Sequence, residues 1–154
     1  MQIININNSY HYETENLLRV FFPDEKFHIT EKAEDGEDYC VFSLDGDRIK
    51  IELSLAGEKL LSEESFSAAE KQGNETEEAF YERKGAIMLF DLLCAYTSYT
   101  PPWGILTGVR PAKLMTKLVS LMGEEGAKKY FTDELKVSEE KTALALMVAK
   151  MKHP

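Results

Sequence analysis

Cysteine and histidine are scarce in this chain of 154 residues, and their placement excludes the common metal sites. The two cysteines, Cys40 and Cys94, lie far apart, and neither belongs to a CxxC or CxxxCxxC pattern. Zinc and iron–sulfur sites need clustered thiolates or imidazoles at fixed spacing, and the three histidines lack such spacing as well. The sequence therefore predicts that this chain alone holds no metal ion and no iron–sulfur cluster.

Long apolar runs are also missing. No stretch reaches the ~18 consecutive apolar residues that a membrane-spanning helix needs. The first ten residues, MQIININNSY, carry neither a basic region nor an apolar signal core. We therefore expect a cytoplasmic protein with no membrane partner.

Positive charge is in deficit over the whole chain, and this argues against nucleic-acid binding. The formal net charge is −9, whereas proteins that bind duplexes present an excess of basic groups to the phosphates. The charge is uneven, because residues 101–154 carry nine basic and six acidic residues, a net +3, and the remainder carries −12. The basic part suits an anionic small molecule or an acidic protein partner.

The residues that are present predict an α+β fold. Short alternating segments over residues 1–56 predict a small β-α-β-β-β lobe, with an antiparallel sheet and one helix over about residues 10–22. Residues 57–76 are polar and acidic, which predicts a linker. Helical spacing over residues 77–152 predicts a helical lobe.

Turn and capping signals give the expected ends of several elements. Asp45–Gly46 predicts a tight hairpin. Asn74, with Glu77 three residues later, fits a capping box before a long helix. Gly123 predicts the end of a later helix, and Ser138 can cap the last one. In that last helix, the residues predicted to face the core are Leu144, Met147, Val148 and Met151.

The segment PPWGILTGVRPAKL, residues 101–114, is both stiff and chemically mixed. A structural interpretation makes it a rigid connector, in which prolines end one helix and begin the next. Gly104 and Gly108 would then permit tight turns, and Trp103 would anchor the loop to the core.

A functional interpretation of the same segment stays equally open. Backbone amides at the helix start after Gly108 suit an anion, and Arg110 offers a planar fork for a carboxylate or phosphate. Lys113 and Lys117 fall on the same helix face as Arg110 and complete a basic patch. The candidate contact residues are Trp103, Gly104, Thr107, Gly108, Arg110, Lys113 and Lys117; the sequence indicates no catalytic residue and no metal ligand.

Asp91 is the one charge within the apolar stretch AIMLFDLLCAY. If it is buried, its carboxylate needs a partner, because an unpaired buried charge costs roughly several kcal/mol. Arg110 is a candidate for that ion pair. Alternatively, Asp91 lies on an exposed stripe of the helix and needs no partner.

PPWGILTGVRPAKL, with the helices after it and the later VSEEKTALALMVAK, resembles the segment before the radical SAM core in a known enzyme family. The family is that of the clostridial-type oxygen-independent coproporphyrinogen III oxidases, or coproporphyrinogen dehydrogenases. Its motif is close to PWGxLTGIRPTK, from which Val109 and Ala112 depart conservatively. The resemblance covers residues 101–150, whereas residues 1–100 agree in general layout only.

This resemblance implies an N-terminal accessory domain of an oxidoreductase in heme and porphyrin biosynthesis. Such a domain would pack in cis on a radical SAM catalytic domain and help to enclose an acidic tetrapyrrole. In the family, a CxxxCxxC motif holds a [4Fe–4S] cluster that binds S-adenosylmethionine, and the resulting radical oxidises propionate side chains to vinyl groups. Those cysteines do not occur in this chain, so we expect the core to follow residue 154 and the chain alone not to be catalytic.

Two other functions remain open from the sequence. One is a non-enzymatic binding module that uses the Arg110, Lys113 and Lys117 patch on a separate partner. The other is a self-sufficient small enzyme, against which the sequence shows no nucleophile–base pair, metal cage or phosphate loop. The sequence also leaves open whether a full-length enzyme acts on coproporphyrinogen III or is a related heme-handling protein.

Overall fold

The computed structural model describes residues 1–34, 36–71 and 75–152, which form two compact units. The first unit is Met1–Tyr99, and the second begins at Thr100. A five-stranded sheet with helices makes up the first unit, and the described part of the second unit is helical. The predicted α+β class is confirmed. Among the described residues, every helix is too short or too polar to cross a membrane.

The sheet of the first unit is mixed. Its strands are β1 (Gln2–Ile6), β2 (His28–Ile29), β3 (Tyr39–Asp45), β4 (Arg48–Leu55) and β5 (Glu58–Ser65). They lie in the order β2-β1-β3-β4-β5. The predicted antiparallel pairing holds for β3, β4 and β5, but β1 is parallel to both of its neighbours. Helix α1 (His11–Phe21) follows β1 and supplies the crossover that a parallel neighbour requires.

Two tight hairpins connect the last three strands. The predicted one turns at Gly46–Asp47, where Gly46 has a φ of +62°. The second turns at Ala56–Gly57, and the sequence does not predict it, because alanine is unusual at positive φ. The predicted linker over residues 57–76 therefore differs from the structure, since β5 occupies its first half. The charged side chains of β5 suit an exposed sheet edge.

Helix α2 (Glu77–Thr97) belongs to the unit that contains the sheet. It packs against β4 and β5, so the units divide after Tyr99 and not within the predicted linker. Gly85 lets α2 also lie close to Phe42 of β3, because a Cβ at position 85 would collide with the ring of Phe42.

The long helix that the sequence predicts after the acidic segment is therefore present, with a different cap. The Thr76 hydroxyl accepts a hydrogen bond from the backbone N–H of Ala79 at 3.1 Å. Such a cap satisfies one of the amides left free in the first turn. The predicted cap, Asn74, lies outside the described residues.

The second unit is built from two helices and the turns that join them. Helix α3 (Pro111–Lys129) breaks at Gly123, where φ is +78°, as the sequence predicts. A π-helical turn over Tyr130–Glu134 leads to helix α4 (Glu139–Lys152). The Ser138 hydroxyl caps α4, because it accepts from the backbone N–H of Lys141 at 3.1 Å.

The predicted core face of α4 is wrong. The buried residues of this helix are Thr142, Ala145 and Ala149, and the larger Leu144, Met147 and Met151 are exposed. Alanine side chains let α4 lie close to the rest of the unit, around Met115 and Phe131. The face of α4 that packs inward is thus the one whose small side chains let the helix come close to its neighbours. The size of the apolar side chains alone does not predict this face.

Candidate functional site

The first half of the PPWGILTGVRPAKL segment is fixed by packing and backbone hydrogen bonds within the second unit. Trp103 packs against the core of the second unit. The Pro102 carbonyl accepts from the backbone N–H of Ser138, and the N–H of Ile105 donates to the carbonyl of Leu135, both at 2.9 Å. Gly104 has a φ of +59°, and a Cβ there would collide with the backbone of the turn before α4. Trp103 and Gly104 therefore fix the chain in place.

The second half of the segment lies at the surface, where α3 begins. Arg110 is the extended residue that precedes the helix, and Pro111 is at its first position. Proline suits that position because the missing N–H would have no intrahelical partner. Gly108 has a φ of +69°, and a Cβ there would meet no described atom within 4 Å. The side chains of Arg110 and Lys113 are exposed.

A concave surface of about 800 Å³ opens at this end of α3. Its volume lies in the range of roughly 300–1,000 Å³ that is typical of small-molecule sites. The described residues that line it are Gly108, Val109, Arg110, Ala112, Lys113, Leu114, Thr116, Lys117 and Lys152. We call it the basic cavity. It brings together four predicted contact residues, Gly108, Arg110, Lys113 and Lys117, but not Trp103, Gly104 or Thr107.

Four cationic side chains border the basic cavity, and none of them has an ion-pair partner among the described residues of the second unit. Arg110, Lys113, Lys117 and Lys152 form no ion pair with a described carboxylate of the same unit. Other lysines of the same unit are paired: Lys150 lies 2.8 Å from Glu124, and Lys128 lies 3.5 Å from Glu125. The cavity therefore combines uncompensated positive charge with an apolar lining, which suits an anionic ligand with an apolar body.

Lys152 is the cavity residue that sequence reasoning misses. It lies in the last turn of α4, far along the chain from Arg110. Lysines are common at helix C-termini, where they complement the helix dipole, so its position alone gives no functional signal.

Asp91 is exposed on α2, so its carboxylate does not need a buried partner. The structure thus supports the exposed-stripe interpretation. Pairing with Arg110 stays a prediction, because the two residues belong to different units. The buried charge of α2 is instead Arg83, whose Nε and Nη2 donate to the two carboxylate oxygens of Glu75, each at 3.0 Å.

A smaller polar cluster lies between α1 and α2 in the first unit. Burial, with the negative charges of Glu13 and Glu78, raises the pKa of Glu82 to about 7. Burial and the same kind of charge raise the pKa of Tyr10 to about 12. The adjoining cavity holds only about 10 Å³, which leaves no room for a ligand larger than water.

The chain's own residues do not fit an iron–sulfur cluster. Its two thiols are too few for the clustered thiolates that hold one. Burial also raises the pKa of Cys40 to about 12, so this thiol stays protonated at neutral pH. Among the described residues, no group of three or more histidine, cysteine or carboxylate side chains is arranged to hold a metal ion.

Comparison with known proteins gives one informative similarity. The chain is 41% identical over 70 residues to the oxygen-independent coproporphyrinogen-III oxidase-like protein HemZ of Bacillus subtilis (strain 168). The match covers 44% of this chain and 14% of HemZ. No family model matches the chain, and no solved structure is significantly similar to it.

Proposed function

We propose that this chain is the N-terminal accessory domain of an oxygen-independent coproporphyrinogen III oxidase-like radical SAM enzyme of heme biosynthesis. Two observations support the proposal. The chain is similar to HemZ over 70 residues, and it carries the PWGILTGVRPAK segment. The observation that supports a contact role is that Arg110, Lys113 and Lys117 line one cavity and form no ion pair with a described carboxylate of their own unit.

The basic cavity has the chemistry to contact the carboxylates of an acidic tetrapyrrole. Arg110 offers a planar guanidinium that can donate two parallel hydrogen bonds to one carboxylate. The backbone N–H groups in the first turn of α3 point out of the N-terminal end of the helix, where they favour a negative charge. Val109 and Leu114 supply apolar surface for the body of the ligand. In this proposal the chain binds and orients propionate groups and takes no part in bond cleavage.

The catalytic chemistry would belong to a domain that this chain does not include. The [4Fe–4S] cluster and S-adenosylmethionine would supply the radical that oxidises the propionate side chains. Since only two cysteines are present in this chain, the cluster would be held by the catalytic domain in cis. The accessory domain would pack on that domain and present its basic cavity toward the substrate.

The reading frame downstream of codon 154 tests this proposal directly. We expect the frame to continue into a domain with a CxxxCxxC motif. A stop codon, or an unrelated domain without that motif, would contradict the accessory-domain role. The basic cavity would then favour the alternative, a non-enzymatic module that binds a separate acidic partner.

A further inference from the structure

Two helices contribute cations to the basic cavity, and they reach it at different places. Arg110 and Lys113 stand at the start of α3, beside Gly108. Lys117 lies farther along α3, and Lys152 comes from the last turn of α4. Thr116 lines both the basic cavity and the small neighbouring cavity that includes Lys150 of α4. The end of α4 therefore meets the basic cavity near Thr116, the residue before Lys117 on α3.

The cations thus fall into two groups along the axis of α3. Arg110 and Lys117 are seven residues apart, which corresponds to roughly 10 Å at the rise of an α-helix. A ligand that carries two anionic groups on one frame can contact both groups at once. Both groups also lack a described anionic partner, so each is free to bind an anion.

We propose that the basic cavity is a two-ended anion site, with Lys152 as its second anchor. Arg110 and Lys113 bind one anionic group, and Lys117 and Lys152 bind another on the same ligand. The inference rests on the proposed function, because it takes the basic cavity as a ligand-contact surface. It adds a residue outside the PWGILTGVRPAK segment and a requirement that the ligand carry two separated charges on one apolar frame.

Two probes with the same frame test this requirement. Biphenyl-4-carboxylate carries one carboxylate, and biphenyl-4,4′-dicarboxylate carries two at opposite ends. Each is titrated into the 154-residue chain at fixed ionic strength, and the amide resonances of α3 and α4 are followed by NMR. Because the second charge binds at a high effective concentration, we expect the dicarboxylate to bind at least about fivefold more tightly.

Lys152→Gln should remove most of that advantage while leaving the affinity for the monocarboxylate within about twofold of wild type. Lys150→Gln is the matched control, because it removes one positive charge from the same helix, two residues before Lys152. Unlike Lys152, Lys150 is paired with Glu124. An equal loss in both variants would show an effect of overall charge and would overturn the inference. So would equal affinity of the wild-type chain for the two probes.

Arg110→Gln separates failure of this inference from failure of the proposed contact role. If Arg110→Gln weakens both probes and Lys152→Gln has no more effect than Lys150→Gln, the two-ended site is wrong and the contact role stands. If Arg110→Gln changes neither probe, the basic cavity is not an anion site, and both proposals are contradicted.

Discussion

Arg83 and Arg110 differ in burial and in the partners of their guanidinium groups. The guanidinium of Arg83 is buried, lies 5.6 Å from the ring centroid of Phe80 and pairs with both carboxylate oxygens of Glu75. The guanidinium of Arg110 is exposed at the edge of the basic cavity. A buried pair of this kind is costly to break, because the remaining charge is left without a partner in a poorly solvated place. An exposed cation can be removed at little cost to the fold.

Arg83→Ala should therefore lower the free energy of unfolding by roughly 3–5 kcal/mol, because it removes both hydrogen bonds from a buried guanidinium to the carboxylate of Glu75. Arg48→Ala is the control, since Arg48 pairs with Glu63 at the surface of the same unit. It should cost less than about 1 kcal/mol. Urea unfolding of both variants gives the comparison, and similar losses would contradict the structural role of the buried pair.

The raised pKa of Glu82 predicts that the stability of the first unit depends on pH. Its pKa of about 7 in the folded state exceeds the ordinary value of 4.5, so the folded chain binds more protons than the unfolded chain between those values. Stability should therefore fall as pH rises from about 4.5 to about 7 and then level off. Glu82→Gln, which resembles the protonated side chain, should be less sensitive to pH and more stable than wild type at pH 8.

The measurement is urea unfolding at intervals from pH 4.5 to pH 8. Glu64→Gln, on the exposed strand β5, is the control and should keep the wild-type pH dependence. If the wild-type chain and Glu82→Gln show the same slope, the account of Glu82 is wrong.

At the scale of elements, the segment of residues 101–114 divides into a first half that is fixed in the second unit and an exposed turn. The first half forms backbone hydrogen bonds with the turn before α4, and the exposed turn borders the basic cavity. The two glycines of the segment belong to different halves. Both have positive φ, but only Gly104 lies against backbone that a Cβ would strike.

Gly104→Ala and Gly108→Ala should therefore differ in their effect on stability. Both pay the strain of a left-handed alanine, about 1–2 kcal/mol. Gly104→Ala must also displace the backbone of Leu135 and Lys136, so we expect it to cost more than about 3 kcal/mol or to prevent folding of the second unit. Loss of helical circular dichroism during urea unfolding measures both. Equal losses would contradict the division of the segment.

Local signals predicted several elements well. Gly123 marks the break in α3, Ser138 caps α4, and the Asp-Gly pair marks the first hairpin, because each depends on the conformational preference of the residue itself. Signals that depend on tertiary context failed. Strand β5 has the composition of a linker because it lies at a sheet edge. The inward face of α4 is lined by alanine because the helix packs closely.

Part of the candidate site was also predictable. The helical spacing predicts that Arg110, Lys113 and Lys117 share one face of α3, and all three line the basic cavity; their role in contact with a ligand stays a prediction. Lys152 could not be found this way, because its position depends on how α4 packs against α3. The apolar stretch around Asp91 leaves open whether this carboxylate is buried or exposed, and the structure instead buries Arg83, in the charged half of the helix. Apolar neighbours in sequence do not reveal which face of a helix is buried.

At the scale of the whole molecule, the chain is a fraction of the length of the relative that it matches. The similarity covers 14% of HemZ, so the activity of a full-length enzyme is a proposal for this protein. The division of charge fits that proposal, because the net positive part, residues 101–154, contains the basic cavity and the motif. An acidic substrate or domain surface would meet this part of the chain.

The isolated chain should bind neither an iron–sulfur cluster nor S-adenosylmethionine. Its two thiols lie in different elements, β3 and α2, and cannot replace three clustered thiolates. Anaerobic reconstitution, followed by iron analysis and a visible spectrum, checks this. Stoichiometric iron with a broad charge-transfer band would contradict the prediction and the assignment of the cluster to another domain.

We propose that the turn at Arg110 contacts a ligand or the catalytic domain of a longer protein and is more than a connector. The most direct test is the turnover of coproporphyrinogen by the proposed full-length enzyme carrying Arg110→Gln, with Lys150→Gln as the matched control. We expect Arg110→Gln to lower kcat/KM at least about tenfold, which corresponds to loss of one charge-assisted contact, and Lys150→Gln to have little effect. Unfolding of the 154-residue chain should change by less than about 1 kcal/mol in both variants. Unchanged turnover in Arg110→Gln, or a stability loss of roughly 3–5 kcal/mol matched non-additively by Asp91→Asn, would contradict the claim and leave the turn as a connector.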